Sequence, residues 1–404
     1  MRAARFYAAK DIRVEEIRAP QPDDSDNNDK VLVEVEWCGI CGSDLNEYLL
    51  GPFAIPSPRT GAHPLTKDIL PVTMGHELTG RITHIPQTLS TQTTGNGIPL
   101  RKGQAVVVDP RFFCASCNPC TQAATNCCQT IGFLGLSGGG GGLAEVVAVR
   151  PGQVYALDTG DGDDEGVREE VDLAAAALIE PLAVAWHGFK LFLSASWPRG
   201  QLDEENRPKS LDIDTNVPAL IIGAGPVGVA MAFVLRAWGM KTILVSEPAA
   251  GRREVMRSTG IATAIFDPLA QQSVAQRCRE VTADGDGVGV VFDCAGSQPG
   301  FQAGCEGLRF RGVYVNLAVP KTPITVPLGP FMQKEITYKS SLAYDQEDFR
   351  ETVDAFLKGR FNGVENMITR RIALEDIVAK GVEELVRPNE HIKILASPKL
   401  SNLA

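Results

Sequence analysis

The sequence predicts an α/β protein in which a β-rich, barrel-like module precedes a doubly wound parallel sheet. Three observations carry this. The first third reads as short strands punctuated by Gly and Pro. Beyond residue 216, apolar strand patterns alternate with helical ones, the texture of parallel βαβ units. A glycine turn, Gly223-Ala224-Gly225-Pro226-Val227-Gly228, joins the first such strand to the first such helix. The 404 residues suit two or three domains, and we place boundaries at 1–185, 186–345 and 346–404.

In chain order, Val31 to Trp37 alternates valines with acids and predicts a half-buried strand. Gly103–Val108 and Ala144–Val149 are further strands. Asp172 is a candidate N-cap for a helix through Leu178. Pro181 interrupts it, and a second helix begins there. Ser194 to Asn216 is polar and aperiodic, so it reads as an exposed excursion. Val217–Ile222, Thr242–Val245, Gly289–Phe292 and Gly312–Leu317 are strands, and Val227–Trp238 is an apolar helix. Two amphipathic segments follow, Phe349–Lys358 and Leu374–Leu385, then a last strand, His391–Ala396. The glycines Gly138 to Gly142 predict a tight backbone approach before Ala144. Asp158–Glu170 is an acidic, solvated loop, and its partial match to a calcium loop is a coincidence of composition.

A net charge of −10 argues against nucleic acid or an anionic membrane surface as partner. No apolar run is long enough to span a bilayer, and the first residues do not resemble a secretory signal. A cytoplasmic location is therefore expected. Reduced thiols follow, and clustered cysteines then read as metal ligands.

Cys114, Cys117, Cys120 and Cys128 are spaced C-x2-C-x2-C-x7-C. Four soft thiolates close a tetrahedral zinc site. The loop holds no charged and no large apolar residue, so metal binding must order it. Cys127 is the weaker fourth ligand on spacing, and Arg111 is the nearby cation that offsets the thiolate charge. With no base and no open position, this site is structural.

Cys41, His76, Glu77 and Glu180 form a scattered second set. A mixed Cys/His/carboxylate group with one position open is what catalytic zinc needs. Singly, each residue has a structural explanation. The glycine turn follows a strand and opens a helix, the context a dinucleotide pyrophosphate requires. Glu247, 19 residues past Gly228, ends the next strand. An acid there binds ribose hydroxyls and repels a 2′-phosphate, favouring NAD. Arg252 and Arg253 could instead serve a 2′-phosphate.

Together these motifs resemble the zinc-containing medium-chain dehydrogenase/reductase family, in the branch of sorbitol and butanediol dehydrogenases. The resemblance runs through Cys41-Gly42-Ser43-Asp44, Gly75-His76-Glu77, the four-cysteine loop, Glu180-Pro181-Leu182 and Phe292-Asp293-Cys294-Ala295-Gly296. It implies a GroES-like catalytic domain beside a Rossmann domain. It also implies two Zn2+ per chain, with Cys41, His76 and Glu180 on the catalytic ion and Glu77 as an alternating or bordering group. Ser43 would bond the substrate oxygen and pass its proton outward. The implied reaction is oxidation of a secondary alcohol in a vicinal diol, most closely 2,3-butanediol and acetoin, with polyols or L-threonine as rivals. The family forms dimers or tetramers through the cofactor domain, with strand Gly312–Leu317 near that edge. In this branch a histidine usually stands five residues after the zinc cysteine; here it is Asn46. A zinc-free enone reductase and a non-enzymatic NAD-binding protein are the alternatives from other classes.

Overall fold

The computed structural model describes all residues except 23, 25–26, 159–170, 197–213, 283, 388–390 and 401–404. The acidic segment with its calcium-like spacing, and most of the polar excursion, lie outside the described residues. Two compact units emerge: Met1–Glu180 with Asp345–Lys358 and Ile368–Ala404, and Pro181–Tyr344 with Gly359–Met367.

The first unit is built on a seven-stranded sheet. Its path runs Val154–Ala156, Ala105–Val108, Glu77–His84, Val31–Gly39, Lys393–Ser397 and Ile368–Ala373. The strand Val146–Val149 also pairs with Val31–Gly39. Val31, Val33 and Val35 are buried while Glu34 and Glu36 are half-exposed, as the alternation predicts. The pairing Gly39↔Glu77 is antiparallel, so the chain leaving one strand at Cys41 and the chain entering the next at His76 meet at one end of the sheet. The C-terminal strand Lys393–Ser397 inserts on the other side of Val31–Gly39 and is buried throughout. Five-glycine packing is as tight as expected: a Cβ on Gly141 would lie 2.3 Å from the Met74 carbonyl oxygen. Gly138, Gly139 and Gly140 take positive φ.

Asp172 caps the helix Leu173–Ala176, accepting from the N–H groups of Ala174 and Ala175. The interruption falls at Ala177–Leu178, ahead of Pro181. Pro181 itself lies in the first turn of the next helix, Ile179–Ser196, where a missing N–H costs nothing. Leu374–Leu385 is not one amphipathic helix. A 3₁₀ turn, a π-helical stretch Ile377–Val382 and a short α-helix Glu383–Val386 share it.

The second unit is a six-stranded, all-parallel sheet. Its order is Ala264–Phe266, Ile243–Ser246, Ala219–Ile222, Val288–Asp293, Leu308–Asn316, Thr337–Ser340. This is the 3-2-1-4-5-6 order of a dinucleotide-binding sheet, in which the strand order reverses beside the first strand. Leu308–Asn316 lies one strand in from the edge, which is Thr337–Ser340. Among the described residues no helix is long and apolar enough to cross a membrane.

Candidate active site and metal centres

Cys41 is the N-cap of helix Gly42–Leu50, so its thiol and the next two side chains stand at the helix start. Ligand atoms of Cys41, His76 and Glu77 lie within 4.8 Å of one another. Glu180 does not join this tightest group. It is buried in the first turn of its helix, and its charge acts on both His76 and Lys393. Ser43 Oγ is 3.1 Å from His76 Nε2. On the ring's other side, Asp44 Oδ1 is 3.7 Å from Nδ1. Asp44 Oδ2 accepts from the Cys41 N–H at 2.9 Å, tying the cap to the carboxylate.

Two buried atoms here, His76 Nδ1 and Asp44 Oδ1, have no hydrogen-bond partner. A carboxylate facing Nδ1 while Nε2 faces the site is how a metal-ligating histidine is oriented. Charge points the same way. Burial opposes charge on His76, but Asp44, Cys41 and Glu180 outweigh it and raise its pKa well above the ordinary value. Burial also pushes the Asp44 carboxyl upward. Asp44, Cys41 and Glu180 thus gather around one buried imidazole, while Glu77 pairs with the buried Lys393 ammonium, an acid-rich setting that suits a dication. The donor set of thiolate, imidazole and carboxylate fits zinc.

Lys393 was invisible as a site residue in the sequence. Its Nζ donates to both Glu77 oxygens, at 2.7 and 2.6 Å, and to the Ile40 carbonyl at 3.1 Å. The available signal was a lysine inside the apolar run Ile392-Lys393-Ile394-Leu395-Ala396, since a buried charge needs a partner.

The four-cysteine loop is closed at its base by the two-stranded ladder Arg111–Phe112 with Gly132–Phe133. Cys114, Cys117, Cys120 and Cys128 bring their sulfurs within 4.8 Å of one another, while Cys127 is exposed. Cys128 Sγ is 3.6 Å from Cys114 Sγ and 3.9 Å from Cys117 Sγ. Hydrogen bonds from Ser116 and the Cys117 N–H lower the Cys114 thiol to about 5. Burial, with sulfur neighbours, raises Cys120 to about 12. Arg111 does not serve as the loop's free counter-charge. Asp109 holds it in a fork, at 2.9 Å to Nε and 2.6 Å to Nη2, and Nη1 donates to Thr125. It anchors the loop by hydrogen bonding.

In the second unit, Gly223 has φ +92°, and Gly225 caps the helix Pro226–Ala237, with Val227 following in its first turn. A Cβ on Gly228 would lie 1.9 Å from the Gly223 carbonyl oxygen, so that position requires glycine. At Gly225 a Cβ would meet only Arg252 Nη1, at 3.7 Å, leaving open space over the helix N-terminus. That gap lies at a helix N-terminus, whose first N–H groups have no intrahelical partner, and fits a pyrophosphate. Glu247 is buried and accepts from Ala224 N–H at 2.7 Å and Ala249 N–H at 2.8 Å. Arg253 is committed to the Glu247 carbonyl and to Asp267. Arg252 remains beside the turn, its buried Nε unpartnered.

Residues 27–159 match the alcohol dehydrogenase GroES-like domain, and 226–358 match the zinc-binding dehydrogenase domain. The (R,R)-butanediol dehydrogenase of Neisseria gonorrhoeae is 32% identical over 402 residues, covering 99% of this chain and 100% of that protein. The chain belongs to the zinc-binding dehydrogenase family. It is therefore an oxidoreductase with the GroES-like and Rossmann units expected from its motifs. The Saccharomyces cerevisiae (R,R)-butanediol dehydrogenase is 31% identical, with 98% of each chain covered. Among solved structures, the 2R,3R-butanediol dehydrogenase of Bacillus subtilis superposes with a TM-score of 0.79 at 29% identity, covering 98% of this chain and 99% of that one.

Proposed function

We propose that this dehydrogenase oxidises a secondary alcohol of a vicinal diol, with (R,R)-2,3-butanediol and acetoin as the substrate pair and NAD as the hydride carrier. Full-length likeness to butanediol dehydrogenases is the observation that carries the substrate. Cys41, His76 and Glu180 would hold the catalytic zinc, and the four-cysteine loop a structural one. When bound, zinc supplies Lewis acidity to the alcohol oxygen, and NAD supplies the hydride acceptor.

The protein's own groups do the rest. Ser43 Oγ, beside His76, is placed to take the alcohol proton. Asp44, whose carboxylate faces Nδ1 at 3.7 Å, orients the His76 ring by its charge. The turn at Gly225 receives the pyrophosphate, and the Glu247 oxygens keep lone pairs for ribose hydroxyls while their charge repels a 2′-phosphate. Arg253 is already paired, which leaves Arg252 alone as a cation for such a phosphate and supports NAD.

We further propose a homo-oligomer formed across the open edge Thr337–Ser340. Leu328, Met332, Tyr338 and Leu342 are exposed there, and an unpaired strand edge is a ready template.

A panel of (R,R)-2,3-butanediol, sorbitol, xylitol and L-threonine with NAD⁺ or NADP⁺ tests the reading. Butanediol with NAD⁺ is expected to give the highest kcat/KM, by at least about tenfold, or about 1.4 kcal/mol. A polyol in first place would move the substrate. No turnover of any alcohol would remove the reaction.

A further inference from the structure

The Glu77 carboxylate occupies a purpose-shaped seat. It is 1% exposed. A Cβ on Gly39, its partner across the ladder, would lie 2.0 Å from Oε2, so the carboxylate fills the space a side chain would take. One of its oxygens is also within 4.8 Å of the Cys41 and His76 ligand atoms. A carboxylate so near a dication ligates it unless stronger contacts hold it elsewhere. Lys393 supplies those contacts. An ammonium has three donors, and Lys393 spends them on Glu77 Oε1, Glu77 Oε2 and the Ile40 carbonyl. Ile40 precedes Cys41, so the ammonium is pinned to the backbone that delivers the thiolate. Its strand is buried on every residue, which leaves the side chain nowhere to swing.

We propose that Lys393 is a positioning residue that withholds Glu77 from the catalytic metal and so keeps a coordination position open for the substrate oxygen. The proposal rests on the metal-site reading above. Removing the ammonium leaves Glu77 buried, charged and uncompensated beside a dication, and ligation is then its cheapest relief. Gly39 serves the same end by making room for the withheld position.

Cobalt(II)-substituted protein tests this without turnover. The His76→Ala variant, which retains only the four-cysteine cobalt, provides the spectrum to subtract. In Lys393→Met, the remaining d–d bands should lose intensity as coordination number rises. Release of that cobalt to a chelator should slow by a factor on the order of ten, the scale on which groups bordering a site tune metal affinity. Lys393→Arg should keep the parent spectrum, and Glu77→Gln/Lys393→Met should regain it. An unchanged spectrum in Lys393→Met, or the same change in the double variant, overturns the proposal. Should Lys393→Met not fold, Gly39→Ala displaces the carboxylate with Lys393 in place; the same intensity loss is expected, and an unchanged spectrum again overturns it. A parent that takes up one cobalt overturns both this and the metal-site reading, whereas two cobalts with insensitive spectra overturn this alone.

Discussion

At the scale of single residues, the site divides into groups that touch the reaction and groups that aim them. Ser43→Ala should lower kcat by about 10²–10⁴, the usual worth of a positioned proton acceptor, with zinc content unchanged. Asp44→Asn keeps the shape but not the charge facing His76, so zinc affinity should fall about 10–100-fold at that site alone; competition with a chromogenic chelator measures it. Asn46 is half-exposed at the middle of the helix that begins after Cys41. An amide cannot titrate near neutrality, so Asn46→His should introduce a pH-dependent limb into the rate profile, and superimposable profiles would remove any role for the position.

The elements explain why parts of this site were legible in the sequence and parts were not. A glycine turn and a C-x2-C-x2-C-x7-C loop are local, so spacing alone exposes them. Lys393 meets Glu77 from 316 positions away only because the strand Lys393–Ser397 pairs with Val31–Gly39, while Gly39 faces Glu77 through the ladder of Val31–Gly39 with Glu77–His84. The helix break falls ahead of Pro181 for a related reason: proline reads as a breaker in sequence, yet in a first turn it is harmless. The strands Arg2–Ala8 and Glu77–His84 escape the sequence pattern because charged and polar residues interrupt them, and Thr337–Ser340 because it is short and mostly exposed; all three are held by tertiary pairing. The glycine turn offers its own test. Gly225→Ala should leave the melting temperature near the parent's while weakening NAD⁺ binding, because its Cβ has room in the protein but not beneath a pyrophosphate. Gly228→Ala, with 1.9 Å to a carbonyl, should instead destabilise the fold by about 1–3 kcal/mol or more.

For the molecule as a whole, one unit gathers the proposed metal ligands and the other the proposed dinucleotide turn; the GroES-like match, 27–159, lies within the first unit, and the zinc-binding dehydrogenase match, 226–358, lies mostly within the second. The open strand edge predicts association: Met332→Asp, placing a charge on an exposed apolar face, should shift sedimentation toward monomer. The proposed chemistry needs two distinct metal centres, one of four thiolates and one mixed. Metal analysis of purified protein and of His76→Ala addresses that directly. Two zinc per chain in the parent and one in the variant are predicted; one zinc in both would contradict the catalytic centre and the reaction built on it.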